Sequence, residues 1–142
     1  MGVPSVEVNL LAVFVAAIAS MVIGALWYSP LLFGRLWMQI SGISPKMIDR
    51  MKKKGKVGKS YFWALVGSLI ASYVLAHFVR YVTATTFADG AQLAFWAWLG
   101  FEAPILLGGV LWEGKPFKLF LLNAAYHLIA LIIAAGILAV WQ

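Results

Sequence analysis

The sequence predicts an all-α integral membrane protein: a bundle of four transmembrane helices, with a short interfacial amphipathic helix in the first connecting loop. Three observations carry this prediction. Hydrophobic residues make up 63% of the 142-residue chain and charged residues 11%, and the mean hydropathy is +0.92. Four apolar runs, at about residues 6–27, 60–82, 88–112 and 117–141, are each long enough to cross a hydrocarbon core of about 30 Å at 1.5 Å per residue. Eight of the eleven Lys and Arg residues fall in one stretch between the first two runs.

Each run reads as a helix. A backbone surrounded by lipid must satisfy its own hydrogen bonds, and none of the runs has the strict alternation of a barrel strand. Trp27, Tyr28, Tyr61, Trp63, Trp112 and Trp141 fall at or near the ends, where amphipathic rings prefer the headgroup level. The runs use up most of the chain, so residues 1–142 are expected to form a single domain. The first run is preceded by no basic segment and is too long for the apolar part of a signal peptide, so it is expected to be retained.

The loop over residues 29–59 carries Arg35, Lys46, Arg50, Lys52, Lys53, Lys54, Lys56 and Lys59, and the turn between the last two runs carries Lys115 and Lys118. By the positive-inside rule both connections face the cytoplasm and both termini lie outside. The expected partners of the basic loop are anionic lipid headgroups. Pro45, Gly55 and Gly58 interrupt the basic residues and membrane spans flank them, so no nucleic-acid partner is expected despite the net charge of +6. Within the loop, Ser29-Pro30 predicts a helix start, with a serine cap and proline at the first helical position. Leu32, Phe33, Leu36, Trp37 and Ile40 then share one face. Ser44-Pro45 repeats the device before Met47, Ile48 and Met51.

The run Gly24, Ala25, Leu26, Trp27, Tyr28, Ser29, Pro30, Leu31, Leu32, Phe33, Gly34, then Trp37, resembles the signature G-x-L-W-Y-S-P-x-x-F-G-x-x-W. That signature belongs to a family of small, mainly bacterial four-helix membrane proteins known as domain of unknown function 1761. Trp98-Leu99-Gly100-Phe101, the turn Glu113-Gly114-Lys115-Pro116, and Asn123 with Tyr126 are similar to later family positions. The resemblance covers nearly the whole chain and implies the fold and a place in the bacterial inner membrane. It brings no activity, cofactor or catalytic residue.

Ionisable groups inside the spans are the candidates for chemistry, because an unpaired charge at the bilayer centre costs several kcal/mol. Glu102 lies about eleven residues before Glu113, and His127 about eleven beyond Pro116, so both sit roughly 16 Å from the same end. A tight turn makes their helices antiparallel neighbours. Asn123, Tyr126 and His127 share one stripe, offering Glu102 several partners. Apolar surroundings disfavour an ionised carboxyl and a neighbouring imidazolium favours it, so a Glu–His pair at mid-depth can exchange a proton. The alternative is a neutral hydrogen-bonded clip between two helices, worth about 1 kcal/mol. Pro104 removes the usual donor to the Gly100 carbonyl and leaves a polar backbone group near the same depth. A second polar cluster, of His77 and Arg80 with Glu7, is expected at the outer level.

Cysteine is absent, which excludes thiol redox chemistry. His77 and His127 differ in depth by roughly 10 Å and lack a third ligand, so neither metal nor cofactor is expected. Three functions remain: a proton-coupled transporter or small-solute or ion pathway, a non-enzymatic accessory or scaffold subunit, and an enzyme acting on a lipid or quinone. The third lacks a nucleophile or cofactor fingerprint, so an enzyme is the least favoured. Small residues at small-x-x-x-small spacing, among them Ala16, Ser20 and Gly24, predict close helix contacts within the chain or in a homo-oligomer.

Overall fold

The computed structural model describes residues 2–142. Among them all regular secondary structure is helical, and four segments are long and apolar enough to cross a membrane. The first is α1, Leu10–Trp27, which starts later than hydropathy suggests because Asn9 caps it, its side-chain oxygen accepting from the Leu11 and Ala12 amides. The second is α4, Lys56–Tyr81, which begins inside the lysine run. Hydropathy cannot mark that start, since lysine is a good helix former.

The third span, Phe87–Leu111, is interrupted. It opens as α5, Phe87–Ala97, behind a capping box in which Thr86 and Asp89 exchange side-chain-to-amide hydrogen bonds of 3.0 and 3.1 Å. A π-helical turn, Trp98–Glu102, follows, and the span ends as α6, Ala103–Leu111. A tight turn with Gly114 at φ 69° leads into α7, Phe117–Val140.

The connecting loop holds α2, Gly34–Ser41, and α3, Pro45–Lys53. Ser44 caps α3 with Pro45 in its first turn, as the sequence predicts. The Ser29-Pro30 start does not form. The Ser29 hydroxyl instead donates to the Leu26 carbonyl at 2.6 Å, and residues 28–33 make a turn. That turn packs so closely that a Cβ on Gly34 would lie 2.6 Å from the Ser29 carbonyl carbon. α2 rests against α7, and aromatic pairs tie the turn to its neighbours: Phe33 meets Trp27 at a ring separation of 4.6 Å, and Trp37 meets Tyr28 edge-on at 5.8 Å.

At the centre is α7, which packs against α1, α4, α5 and α6. The main buried cluster lies at the end of the bundle where the two termini lie, while Leu122 and Ala124 of α7 are buried separately toward the basic end. In the main cluster Ala12, Val13 and Ala16 of α1, Leu75, Ala76 and Val79 of α4, Ala94 of α5, and Ala134, Ala135, Leu138 and Ala139 of α7 interlock. Toward the basic end, α4 and the α5–α6 span scarcely touch, and a cleft opens between them over α7.

Candidate functional site

The cleft measures about 420 Å³. Its α4 wall is made of Gly67, Ser68, Ala71 and Ser72, its opposite wall of Phe101, Glu102, Ile105 and Leu106, and its floor of Tyr126, His127, Ala130 and Leu131, with Ser20 of α1 behind. Phe101 and Ile105 stand at the rim, 68% and 76% exposed. The cleft therefore opens sideways, on the flank that faces lipid in a bilayer. Its size is that of a small-molecule site.

Local backbone chemistry aims Glu102 into this space. Pro104 cannot donate, so the helix cannot run through it with regular spacing. The chain widens by one residue instead, and the Ala103 amide bonds the Trp98 carbonyl five positions back. Such π turns cluster at functional sites because they re-aim a side chain without ending the helix. Trp98 holds the turn in place by donating its Nε1 hydrogen to the Ala124 carbonyl of α7 at 2.8 Å.

The carboxylate of Glu102 meets His127 of α7, with Oε2 3.2 Å from Nδ1. The approach is close enough for an ion pair but not aligned for a hydrogen bond, so Oε2 is buried with no hydrogen-bond partner among the described residues. Both side chains keep substantial access to the cleft: 33% of the Glu102 surface and 43% of the His127 surface remain exposed. An unsatisfied buried carboxylate oxygen is costly, and a proton shared between it and His127 would relieve that cost.

The other two members of the expected stripe turn elsewhere. Asn123 Oδ1 accepts from the Tyr28 hydroxyl at 2.6 Å, and the Tyr126 hydroxyl donates to the Ser20 carbonyl at 3.3 Å. Their polar atoms are committed to α1 and its following turn, leaving Glu102 with His127 alone. Burial, reinforced by neighbouring Tyr126, pushes the Tyr28 hydroxyl up to about 12, so it stays a neutral donor to Asn123. With Trp27 Nε1 donating to the Leu122 carbonyl at 3.2 Å, three aromatic donors grip α7 beside the site. Sequence reasoning missed Trp27, Tyr28 and Trp98 in this role. The clue was that each carries a polar tip that must find a partner when it leaves the interface.

The outer cluster is arranged differently from the expectation. Arg80 donates to the Gln142 side chain, which also donates to the Ala84 carbonyl, and His77 Nδ1 lies 2.8 Å from the Tyr73 carbonyl. Among the described residues no ion pair joins Glu7 to either one. Gln142 lies just past the end of α7 and reaches Arg80 first. Of the loop cations, Arg50, Lys52 and Lys53 occupy the last turn of α3, where they complement the negative end of the helix dipole. Among the described residues no three His, Cys, Asp or Glu side chains converge to hold a metal.

No curated protein and no solved structure matches the chain. The family model described as protein of unknown function (DUF1761) matches residues 11–139, nearly the whole chain. This protein, a four-span helical bundle with a Glu–His pair in its open flank, belongs to that family.

Proposed function

We propose that the chain is a proton-coupled membrane protein that moves a small solute or ion, with Glu102 and His127 as the proton-exchanging pair. The observation that carries this reading is the 3.2 Å approach of the two groups at the floor of an open cleft of about 420 Å³. A structural clip would bury both partners and satisfy them. Here both side chains reach the cleft and one carboxylate oxygen lacks a hydrogen bond. A carboxyl that can shed and regain its proton beside an imidazole couples occupancy of the cleft to the proton gradient.

In this reading the membrane is a bacterial inner membrane. The basic loop 29–59 and the turn with Lys115 and Lys118 face the cytoplasm, in contact with anionic headgroups, and both termini lie outside. The cleft opens sideways, so passage from one face to the other would be completed by a second copy across the open flank.

Infrared titration of the carboxyl band in bilayers tests the reading, comparing the native chain with Glu102→Gln. A band absent from the Gln variant that gains and loses its proton between about pH 5 and 9, and moves in His127→Ala, is the expected result. A carboxyl that stays protonated throughout would return Glu102 to the role of helix clip in an accessory subunit.

A further inference from the structure

Resting on the proton-exchange reading of Glu102, we infer that the cleft between α4 and α6 binds a lipophilic organic monocation, admitted sideways from the bilayer, in competition with the proton on Glu102. The charge inventory of the cleft selects this ligand. Glu102 is the single carboxylate on its walls. The titratable groups facing it are both on α7: His127 at 3.2 Å, and Tyr126, whose hydroxyl is committed to Ser20. The α4 wall offers Gly67, Ser68 and Ser72, and α1 offers Ser20, none of which titrates. With His127 neutral, an ionised Glu102 is an uncompensated negative charge in apolar surroundings, and a cation in the cleft neutralises it.

The walls decide which cation. A divalent metal ion takes about six or more oxygen ligands, and the cleft supplies one carboxylate and a few hydroxyls. A strongly hydrated ion would lose more solvation than it gained. An organic cation with its charge spread under apolar groups loses little water and gains contact with Ala71, Ile105 and Leu131. The rings of Phe101 and Tyr126 on the walls add attraction for positive charge. Volume agrees, because about 420 Å³ suits a compact drug-sized molecule. A Cβ on Gly67 would meet no atom within 4 Å, so the α4 wall has been left clear rather than packed.

Cation and proton cannot occupy Glu102 together, and a protonated His127 repels the ligand. Binding therefore strengthens as pH rises, up to tenfold per pH unit while one proton is displaced per cation, and levels off once both groups are deprotonated.

The test uses the native chain in nanodiscs of zwitterionic lipid with tetraphenylphosphonium as probe, reading binding and proton release together. Saturable binding, about one proton released per cation near the Glu102 titration, and no saturable binding of neutral triphenylphosphine oxide are expected. Glu102→Gln should weaken binding and abolish the proton release that tracks the Glu102 titration, leaving only the pH dependence due to His127, and Gly67→Phe, which fills the cleft, should abolish binding. Equal binding of the neutral compound, or binding unchanged by either substitution, would overturn the inference. If Glu102 titrates in the infrared but the cation neither binds nor releases a proton, the inference fails and proton exchange stands. If Glu102 never titrates, both fail.

Discussion

At the end of the bundle that holds the termini, Gly90 and Gly136 sit in close helix contacts; on the cleft flank, Gly67 faces open space. A Cβ on Gly90 would collide with the backbone of Ala135, and one on Gly136 with the ring of Phe87. A Cβ on Gly67 or Gly100 would meet nothing within 4 Å. The same residue type thus serves two purposes. Close approach of α5 to α7 builds a dry, alanine-rich core that fixes the helices, and separation of α4 from α6 leaves room beside Glu102. Burial follows the same division: in the most apolar stretch of each span, 39% of α7 is buried against 6% of the α5–α6 span. The central helix carries the packing, and the interrupted one carries the carboxylate on its exposed flank.

The strongest way to break this comparison is to add one methyl group at each end. Gly90→Ala should destabilise the bundle by about 1–3 kcal/mol, because the Ala135 backbone it meets leaves little room for relief, and Gly136→Ala by less, because the half-exposed Phe87 ring can swing aside. Gly67→Ala should leave thermal unfolding in detergent almost unchanged. Equal losses at both ends would mean that Gly67 is packed against a neighbour rather than facing open space.

A second experiment targets the grip on the π turn. Trp98→Phe keeps most of the ring but removes the 2.8 Å hydrogen bond to Ala124, and should cost about 1 kcal/mol. If the turn aims Glu102, the same variant should shift the midpoint of the carboxyl titration. A purely packing role would lower stability and leave that midpoint where it was.

An effect on stability of similar size is expected at the Tyr28–Asn123 link, where Tyr28→Phe leaves Asn123 Oδ1 without its donor and should cost about 0.5–1.5 kcal/mol, with no change in the carboxyl titration. The ordinary Tyr value near 10 rises to about 12 on folding, so the neutral link contributes fully below about pH 10 and is lost as pH climbs through 12. The native chain should therefore lose stability over that range by more than the Phe variant does. Parallel curves would show that the hydroxyl contributes nothing.

Much of this architecture is written locally in the sequence. Hydropathy locates four spans, Ser44-Pro45 marks the start of α3, and the distances of Glu102 and His127 from a shared turn place them at one depth. Errors arise where competing partners, near or distant in the chain, decide the outcome. Ser29-Pro30 has the local chemistry of a helix cap, but its hydroxyl finds the Leu26 carbonyl, and the close-packed turn delays α2 to Gly34. Asn123 and Tyr126 share a stripe with His127, yet Tyr28 and Ser20 claim them from the opposite side of the helix packing. Pro104 signals a disturbance in the third span, but nothing local says that the chain absorbs it as a π turn at Trp98–Glu102. The cleft is the least legible feature, since it depends on which helices fail to meet.

On the proposed function, the open flank gives access from the lipid to an exchangeable carboxyl. Labelling with dicyclohexylcarbodiimide, an apolar reagent that attacks protonated carboxyls, tests it most directly when read residue by residue by mass spectrometry in bilayers. Glu102 should be modified, progressively less as pH rises, and protected in Gly67→Phe. A Glu102 that stays unmodified at every pH, while the reagent reaches other carboxyls of the chain, would show that the cleft is closed in the membrane and that the pair only joins two helices.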